Sequence, residues 1–188
     1  GNEGNIDKGK KIHDEILNRG FLEKDISLGV ALVDMYTKCG LLTKAEDLFE
    51  ELLVRDVVSW SALIAGYAEK GYHHEALNCF EQMQREGIAP NDVTFLCILN
   101  ACSHSGRLDD AETYYANMSR KYGIAPQIEH HTCMVGILSR TGHLDKAMAM
   151  IKRMPDPPDH VTWHTVLYAS RNLGNIECGK QIFDYVRR

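Results

Sequence analysis

The sequence predicts an all-α protein: a right-handed superhelical α-solenoid of stacked helix-turn-helix repeats. Glycine recurs along the 188-residue chain at intervals of 31 to 36 residues. A small residue follows each glycine after five positions, and an apolar residue follows it after twelve. A period of this size, held in several columns at once, is typical of stacked two-helix units. The columns are Gly4, Gly40, Gly71, Gly106, Gly142 and Gly174; Gly9, Ala45, Ala76, Ala111, Ala147 and Gly179; and Ile16, Leu52, Met83, Met118, Met154 and Val186.

The segment 57–91 contains one complete unit and predicts its two helices. Apolar residues at helical spacing precede Gly71, and glycine tolerates the left-handed conformation that often ends a helix. A second apolar stripe follows, and Gly87 and Pro90 prevent its continuation. We therefore predict a helical hairpin in which Ala76 lets the two helices approach closely. The stripes are Leu63, Ile64 and Tyr67, then Ala76, Leu77, Phe80 and Met83; Trp60, Phe95, His131 and Trp163 share a position expected to wedge against a neighbouring unit.

Repetition of this pattern divides the chain into one continuous array with no domain boundary. We expect four complete units, with one partial unit before them and another after them. We therefore interpret the sequence as a piece of a longer array. Gly4 is expected in a turn that follows a missing helix. The predicted units are 1–25, 26–56, 57–91, 92–127, 128–159 and 160–188.

Composition and charge limit the class of protein. Hydrophobic residues make up 44% of the chain and charged residues 25%, which is typical of a folded protein. No apolar run approaches the roughly 20 residues of a membrane helix, so a membrane is not an expected partner. The formal net charge of −5 argues against a strongly phosphate-dependent nucleic-acid binder, because such proteins are usually basic.

The sequence contains no motif that favours catalysis or metal binding. The six cysteines include no C-x-x-C pair, which a zinc deaminase would need, and we interpret them as small packing residues. Adjacent histidines, such as His73 and His74, point to different helix faces, and no H-E-x-x-H motif occurs. A nucleophile turn of the G-x-S-x-G type is also absent from the sequence. We expect no enzyme activity, metal or cofactor, and an extended binding surface instead.

The residue types, unit lengths and unit order resemble the pentatricopeptide repeat family, and in particular its plant PLS class. That class contains P-type, long L-type and short S-type units, and in organellar RNA-editing factors an E extension follows them. The matching segments are GKKIH (9–13, end of an L unit), LGVALVDMYTKCG (28–40, S), 57–91 (P), 92–127 (L), IEHHTCMVGILSRTGHLDKAMAMIKRMP (128–155, S) and HVTWHTVLYASRNLGNIECGKQIF (160–183, E-like).

The resemblance implies a single-stranded RNA partner, with one base selected by each repeat. In the family, the fifth and last residues of a unit select the base, and an apolar second residue clamps it. The pair Ser61 and Asn91 is the adenine combination, and Thr132 with Asp159 is the guanine combination. Weaker RNA-facing positions are Val30 with Asp56, Leu96 with Gln127, and His164. The expected clamps are Val58, Val93 and Val161, whereas Glu129 places a charge at the same position.

Local chemistry alone offers a different interpretation of these residues. A serine or threonine on a helix usually contacts solvent or its own backbone. Asn91 and Asp159, placed just before predicted helices, are most often N-caps.

Two functions therefore remain open at this point. The resemblance favours an RNA-selecting module of an organellar C-to-U editing factor, in a chloroplast or mitochondrion, with the targeting peptide outside this sequence. Accessory editing proteins and a deaminase, in the same chain or another, would be further partners. The alternative is a protein-interaction solenoid, which the negative charge and the apolar Leu96 favour.

Overall fold

The computed structural model describes residues 2–19, 26–154 and 157–186. These residues form eleven α-helices and no β-strand, which confirms the predicted all-α class. Pro155 and the end of the predicted 1–25 unit lie outside the described residues. The helices are α1 (Asn2–Asn18), α2 (Ile26–Lys38), α3 (Leu42–Glu51), α4 (Val57–Glu69), α5 (His73–Arg85), α6 (Asp92–Ser105), α7 (Leu108–Tyr122), α8 (Ile128–Arg140), α9 (Leu144–Ile151), α10 (His160–Asn172) and α11 (Ile176–Val186).

Helices alternate as the first and second members of successive hairpins. The first helices are α2, α4, α6, α8 and α10, and each begins at the first residue of a predicted unit. The chain divides into two compact units, residues 1–98 and 99–188, and the division falls within α6. In the first, α2 packs against α3 and α4, and α4 packs against α5. In the second, α8 packs against α9 and α10, and α10 packs against α11.

Glycine ends the first helix of each hairpin because the backbone there turns into the left-handed region. Gly71, for example, has φ of 84°, a conformation that side chains with a Cβ rarely adopt. The prediction for Gly4 was wrong, since this glycine lies inside α1.

The alanine column lies in the buried core of the helix packing. Ala76 and Ala111 are completely buried, as are Ala45 and Ala147. A close approach occurs between α2 and α4, where a Cβ built on Gly66 would lie 2.3 Å from the Cβ of Thr37. The small residues therefore set the distance between neighbouring helices.

Aromatic pairs join α3 to α4, α5 to α6 and α7 to α8. Phe49 meets Trp60 edge-on, with ring centroids 4.6 Å apart. Phe80 meets Phe95 in the same way at 5.6 Å. In the second compact unit the corresponding rings are Tyr115 and His131, at 5.8 Å. The wedge position predicted from Trp60 is therefore a repeated packing contact.

Candidate functional site

The last residue of each complete predicted unit immediately precedes the next first helix. Asp56 Oδ1 accepts hydrogen bonds from the backbone N–H groups of Val58 at 3.1 Å and Ser59 at 2.9 Å. Asn91 Oδ1 and Asp159 Oδ1 accept one each, from the third residue of the helix that follows. The N-cap interpretation of Asn91 and Asp159 is therefore confirmed, and the caps hold these side chains at the helix start.

A threonine joins the fifth and last residues of the 57–91 unit. Thr94, the third residue of the next unit, lies 2.7 Å from Ser61 through the two hydroxyl oxygens. The Thr94 hydroxyl is 2.8 Å from Asn91 Oδ1, and its backbone N–H donates to the same oxygen at 2.9 Å. Ser61 is only 6% exposed, so its oxygen is held in one place. The structure brings the predicted base-selecting pair into one hydrogen-bond network.

The 128–159 unit repeats this arrangement with different side chains. The Thr162 hydroxyl donates to Asp159 Oδ1 at 2.6 Å and lies 3.4 Å from the hydroxyl oxygen of Thr132. The Thr162 backbone N–H donates to the same carboxylate oxygen at 2.8 Å. These bonds, led by the one from the hydroxyl, lower the pKa of Asp159 below its ordinary value. Asp159 is therefore an ionised acceptor at neutral pH.

The junctions with an apolar fifth residue lack this connection. After Val30, the Ser59 hydroxyl donates to the backbone carbonyl oxygen of Asp56 at 2.9 Å. After Leu96, the ring nitrogen Nδ1 of His130 accepts from the backbone N–H of Gln127 at 3.1 Å. In both cases the third residue bonds to the cap backbone. His164, the fifth residue of the last predicted unit, is exposed on α10.

The second residues of three units are half-exposed valines. Val58 is 54% exposed, and Val93 and Val161 are each 52% exposed. All three lie in the first turn of a first helix, three residues before the fifth position. Glu129 occupies the corresponding place in α8 and is also exposed. Exposed apolar groups beside a polar one suit the flat faces and the hydrogen-bonding edge of a base.

A set of basic residues near the ends of the first helices was missed by the sequence analysis. Each first helix ends at or next to an exposed cationic or titratable side chain. These residues lie at similar distances from the first residue of each unit, and this spacing is the sequence signal that could have identified them. The negative end of the helix dipole favours positive charge at these positions. The residues are Lys38, Lys70, His104, Arg140 and Arg171.

The acidic residues concentrate on second helices instead. Helix α3 alone contains Glu46, Asp47, Glu50 and Glu51. Burial, followed by the charges of Asp47 and Glu50, raises the pKa of Glu46 above its ordinary value. The negative charge that gives the chain its net charge of −5 therefore lies mainly on the second helices rather than on the first helices.

Neither cysteines nor histidines form a reactive or metal-binding cluster in the part of the chain that the structure describes. No group of three or more His, Cys, Asp or Glu side chains there could hold a metal ion. All six cysteines are free thiols. Burial raises the pKa of Cys79 and of Cys102 to about 12, which disfavours the reactive thiolate. None of the described helices has the length and apolarity needed to span a bilayer.

Comparison with family models identifies the repeats. A model described as the PPR repeat family matches residues 55–104, and one described as the PPR repeat matches residues 30–57, 93–122 and 129–156. Together they cover more than half of the chain. The chain therefore belongs to the pentatricopeptide repeat (PPR) family.

Curated relatives from Arabidopsis thaliana agree with this assignment. The chain is 41% identical over 179 residues to pentatricopeptide repeat-containing protein At5g66520, covering 95% of this chain and 29% of that protein. It is 36% identical over 187 residues to pentatricopeptide repeat-containing protein At1g77170, mitochondrial, covering 99% of this chain and 40% of that protein. The chain thus spans well under half the length of these relatives.

Solved structures share the fold. The maize PPR protein PPR10, in complex with an 18-nt psaJ RNA element, superposes with a TM-score of 0.76 at 19% identity, covering 97% of this chain and 27% of PPR10. The PPR domain of Arabidopsis thaliana protein-only RNase P 1, in complex with tRNA, gives a TM-score of 0.67 at 19% identity, covering 82% and 85% of the two chains. At 19% identity, the similarity to these two structures establishes that the chain shares their helical repeat fold.

Proposed function

We propose that this chain is a sequence-specific single-stranded RNA-binding module of an organellar C-to-U RNA-editing specificity factor. The observation that carries the proposal is the repeated network that joins the fifth and last residues of two units. The half-exposed valines beside these networks offer surfaces for base faces. RNA is also present in the structures of PPR10 and of the RNase P PPR domain.

Each unit would select one base. Ser61 with Asn91 would select adenine, and Thr132 with Asp159 would select guanine. Leu96 carries no donor or acceptor, so the base between them would be unconstrained. If RNA runs parallel to the chain, the preferred sequence is 5′-A-N-G-3′. The basic residues at the first-helix ends, such as Lys70 and Arg171, would contact phosphates despite the negative net charge.

The module would select RNA and leave the chemistry to a deaminase in the same chain or another. An organellar location is supported by a relative that is named as mitochondrial. The assignment to editing is supported by the resemblance of the unit order to P-type, L-type and S-type units followed by an E-like segment. Accessory editing proteins would be additional partners.

The test changes one predicted base-selecting residue. Thr132→Asn converts the last pair to the family's uracil combination, Asn with Asp. Competition binding should then move preference from 5′-A-N-G-3′ toward 5′-A-N-U-3′. We expect a shift of order 1 kcal/mol, about fivefold, because one hydrogen bond is exchanged against water. An unchanged preference would contradict the base-selecting role of Thr132. This unit is the most stringent test of base selection, because Glu129 places a charge at the position where three other units have a valine.

A groove between α7 and α9 favours a second candidate function, a protein-interaction solenoid. The groove has a volume of about 320 Å³ and is lined largely by apolar surface, including Met134, Leu138 and Met150. Its edge carries an ion pair between Lys146 and Glu112, with Nζ and Oε1 2.8 Å apart. Absence of RNA binding at low salt, together with tight binding of a protein partner, would favour this function over RNA selection.

A further inference from the structure

We infer that a cavity lined mainly by α3, α4 and α5 is a docking site for an arginine-bearing segment of a partner protein. The cavity has a volume of about 290 Å³ and is bordered by three carboxylates of α3. It shares no lining residue with the predicted RNA-facing set, so the site is additional to the proposed function and does not depend on it. We call it the acidic cavity, and its carboxylates are Glu46, Asp47 and Glu50.

Comparison of equivalent repeat positions shows that this cavity lacks a cation that another junction supplies. Glu46 and Glu112 are both the sixth residue after a repeat glycine. At the later junction, Lys146 is the fourth residue after the next repeat glycine, and its Nζ lies 2.8 Å from Glu112 Oε1. The residue of α5 that corresponds to Lys146 is Glu75. One junction therefore has its own lysine opposite the glutamate, whereas the acidic cavity has a second glutamate there.

The repulsion between these carboxylates acts on Glu46. Burial raises the pKa of Glu46, and neighbouring negative charges raise it further. Those charges are Asp47, Glu50 and Glu75. The hydroxyl of Tyr67 donates a hydrogen bond to Glu46 Oε1, but a carboxylate has lone pairs for several donors. A cation that enters the cavity would offset the repulsion and occupy the remaining acceptor sites.

An arginine side chain suits the cavity better than a metal ion does. No group of three or more acidic, His or Cys side chains in the described part of the chain could hold a metal ion. Glu46 and Glu50 lie one turn apart on the same face of α3, and a guanidinium presents several N–H donors in one plane to carboxylates. Arg55 also lines the cavity, but it lies 5.8 Å from the centroid of the Phe49 ring, and its Nη2 is 3.7 Å from Glu86 Oε1. Its charge is therefore already shared with another carboxylate.

A buried indole indicates that the ligand also carries a neutral acceptor. Trp60 lines the acidic cavity and is 1% exposed, and its Nε1–H has no hydrogen-bond partner among the described residues. A buried donor without a partner is costly, so an acceptor brought into the cavity is favoured. A free amino acid would bring a carboxylate, which the acidic residues repel, and a polyamine brings no acceptor. A peptide backbone carbonyl beside an arginine side chain meets both requirements.

The two tryptophans provide a direct NMR measurement of this docking. Trp60 and Trp163 give separate indole N–H signals and lie in different compact units. The full 188-residue chain is titrated with acetyl-Gly-Arg-Gly-amide, with acetyl-Gly-Glu-Gly-amide and with spermidine, into the roughly millimolar range expected for so small a ligand. We expect the arginine peptide to move the Trp60 indole proton downfield in a saturable way and to leave Trp163 in place. Neither the glutamate peptide nor spermidine should produce this downfield shift.

A substitution taken from the repeat itself should close the site. Glu75→Lys places a lysine opposite Glu46, as Lys146 lies opposite Glu112, so it should keep or raise the melting temperature and weaken the arginine peptide about tenfold or more. Glu81→Lys makes the same charge change at an exposed position of α5 outside the cavity lining, and should change the affinity less than about twofold. If Glu75→Lys does not fold, Glu75→Gln removes the charge alone and should weaken binding about threefold.

Several results would overturn the docking site. These are an unmoved Trp60 signal with the arginine peptide, an equal downfield shift with spermidine, equal weakening by Glu75→Lys and Glu81→Lys, and an unchanged affinity in a folded Glu75 variant. The two proposals fail separately, because RNA binding is measured in the same wild-type chain. RNA binding without a response to the arginine peptide would overturn the docking site alone. A response to the peptide without RNA binding would support the docking site and overturn the proposed function.

Discussion

Gly66→Ala tests whether close helix approach holds neighbouring repeats together. Alanine is ordinarily better than glycine inside a helix by about 1 kcal/mol, so the change alone should stabilise α4. At this position, however, the new Cβ would lie 2.3 Å from Thr37 Cβ and 2.4 Å from its Cγ2. Thr37 is 1% exposed, and its hydroxyl donates to the backbone of Asp34 at 2.9 Å. It therefore cannot rotate away.

The expected sign follows from comparing the two effects. Overpacking a filled core costs about 1–3 kcal/mol, and a contact with a Cβ atom lies toward the upper end of that range. After the gain in helix propensity, we expect Gly66→Ala to lower the unfolding free energy by about 1–2 kcal/mol. For a chain of this length the melting temperature should fall by roughly 2–8 °C, measured by circular dichroism at 222 nm.

Gly136→Ala is the matched control. Gly136 is also buried in a first helix, but its new Cβ would meet only the end of the Arg140 side chain, at 3.3 Å from Nη2. That side chain is exposed and its Nη2 donates a hydrogen bond to Ser103 Oγ, but a shift of a few tenths of an ångström at its flexible end makes room for the new Cβ. The control should therefore keep or raise the melting temperature. An equal or higher melting temperature for Gly66→Ala would refute the packing argument.

Three further predictions concern packing, charge and pH. Ala111→Leu should overpack a completely buried position at a cost of about 1–3 kcal/mol, whereas Ala149→Leu at an exposed position should leave the melting curve nearly unchanged. Arg171→Gln should weaken RNA binding about equally for all sequences and reduce the salt dependence of log K by about 0.7 per lost phosphate contact, measured by fluorescence anisotropy from low to moderate salt. Because folding lowers the pKa of Asp159, its contribution to stability should be complete above its unfolded pKa of about 3.9 and be lost as pH falls through the lower folded value. Asp159→Asn should abolish that part of the acid dependence in denaturation curves, and an identical acid profile would count against the cap bonds.

Local patterns were sufficient to predict the helical hairpins. Ala76 and Ala111 are buried as predicted, and the position shared by Trp60 and Phe95 is a packing contact. These features repeat with the unit and depend on residues close together in sequence. Gly4 departs from its column, because it lies inside α1 rather than at a helix end.

Features that depend on contacts between units could not be predicted in the same way. Ser61 and Thr94 are 33 residues apart, and Thr132 and Thr162 are 30 apart, so helical spacing within a unit says nothing about their contact. The near-complete burial of Ser61 results from the same packing. The sequence predicted an N-cap role for Asn91 and Asp159 as an alternative to base selection. It did not predict that each of these side chains also accepts a hydrogen bond from a threonine hydroxyl.

The most direct test of the central claim is an unbiased selection of RNA by the unmodified chain at low salt. A single-stranded library with a randomised central segment is bound, recovered and sequenced. We expect enrichment of adenine and guanine separated by one unconstrained base, in the order 5′-A-N-G-3′, set by Ser61 with Asn91 and by Thr132 with Asp159. Recovery of RNA without base enrichment, or with other bases at these two positions, would contradict it.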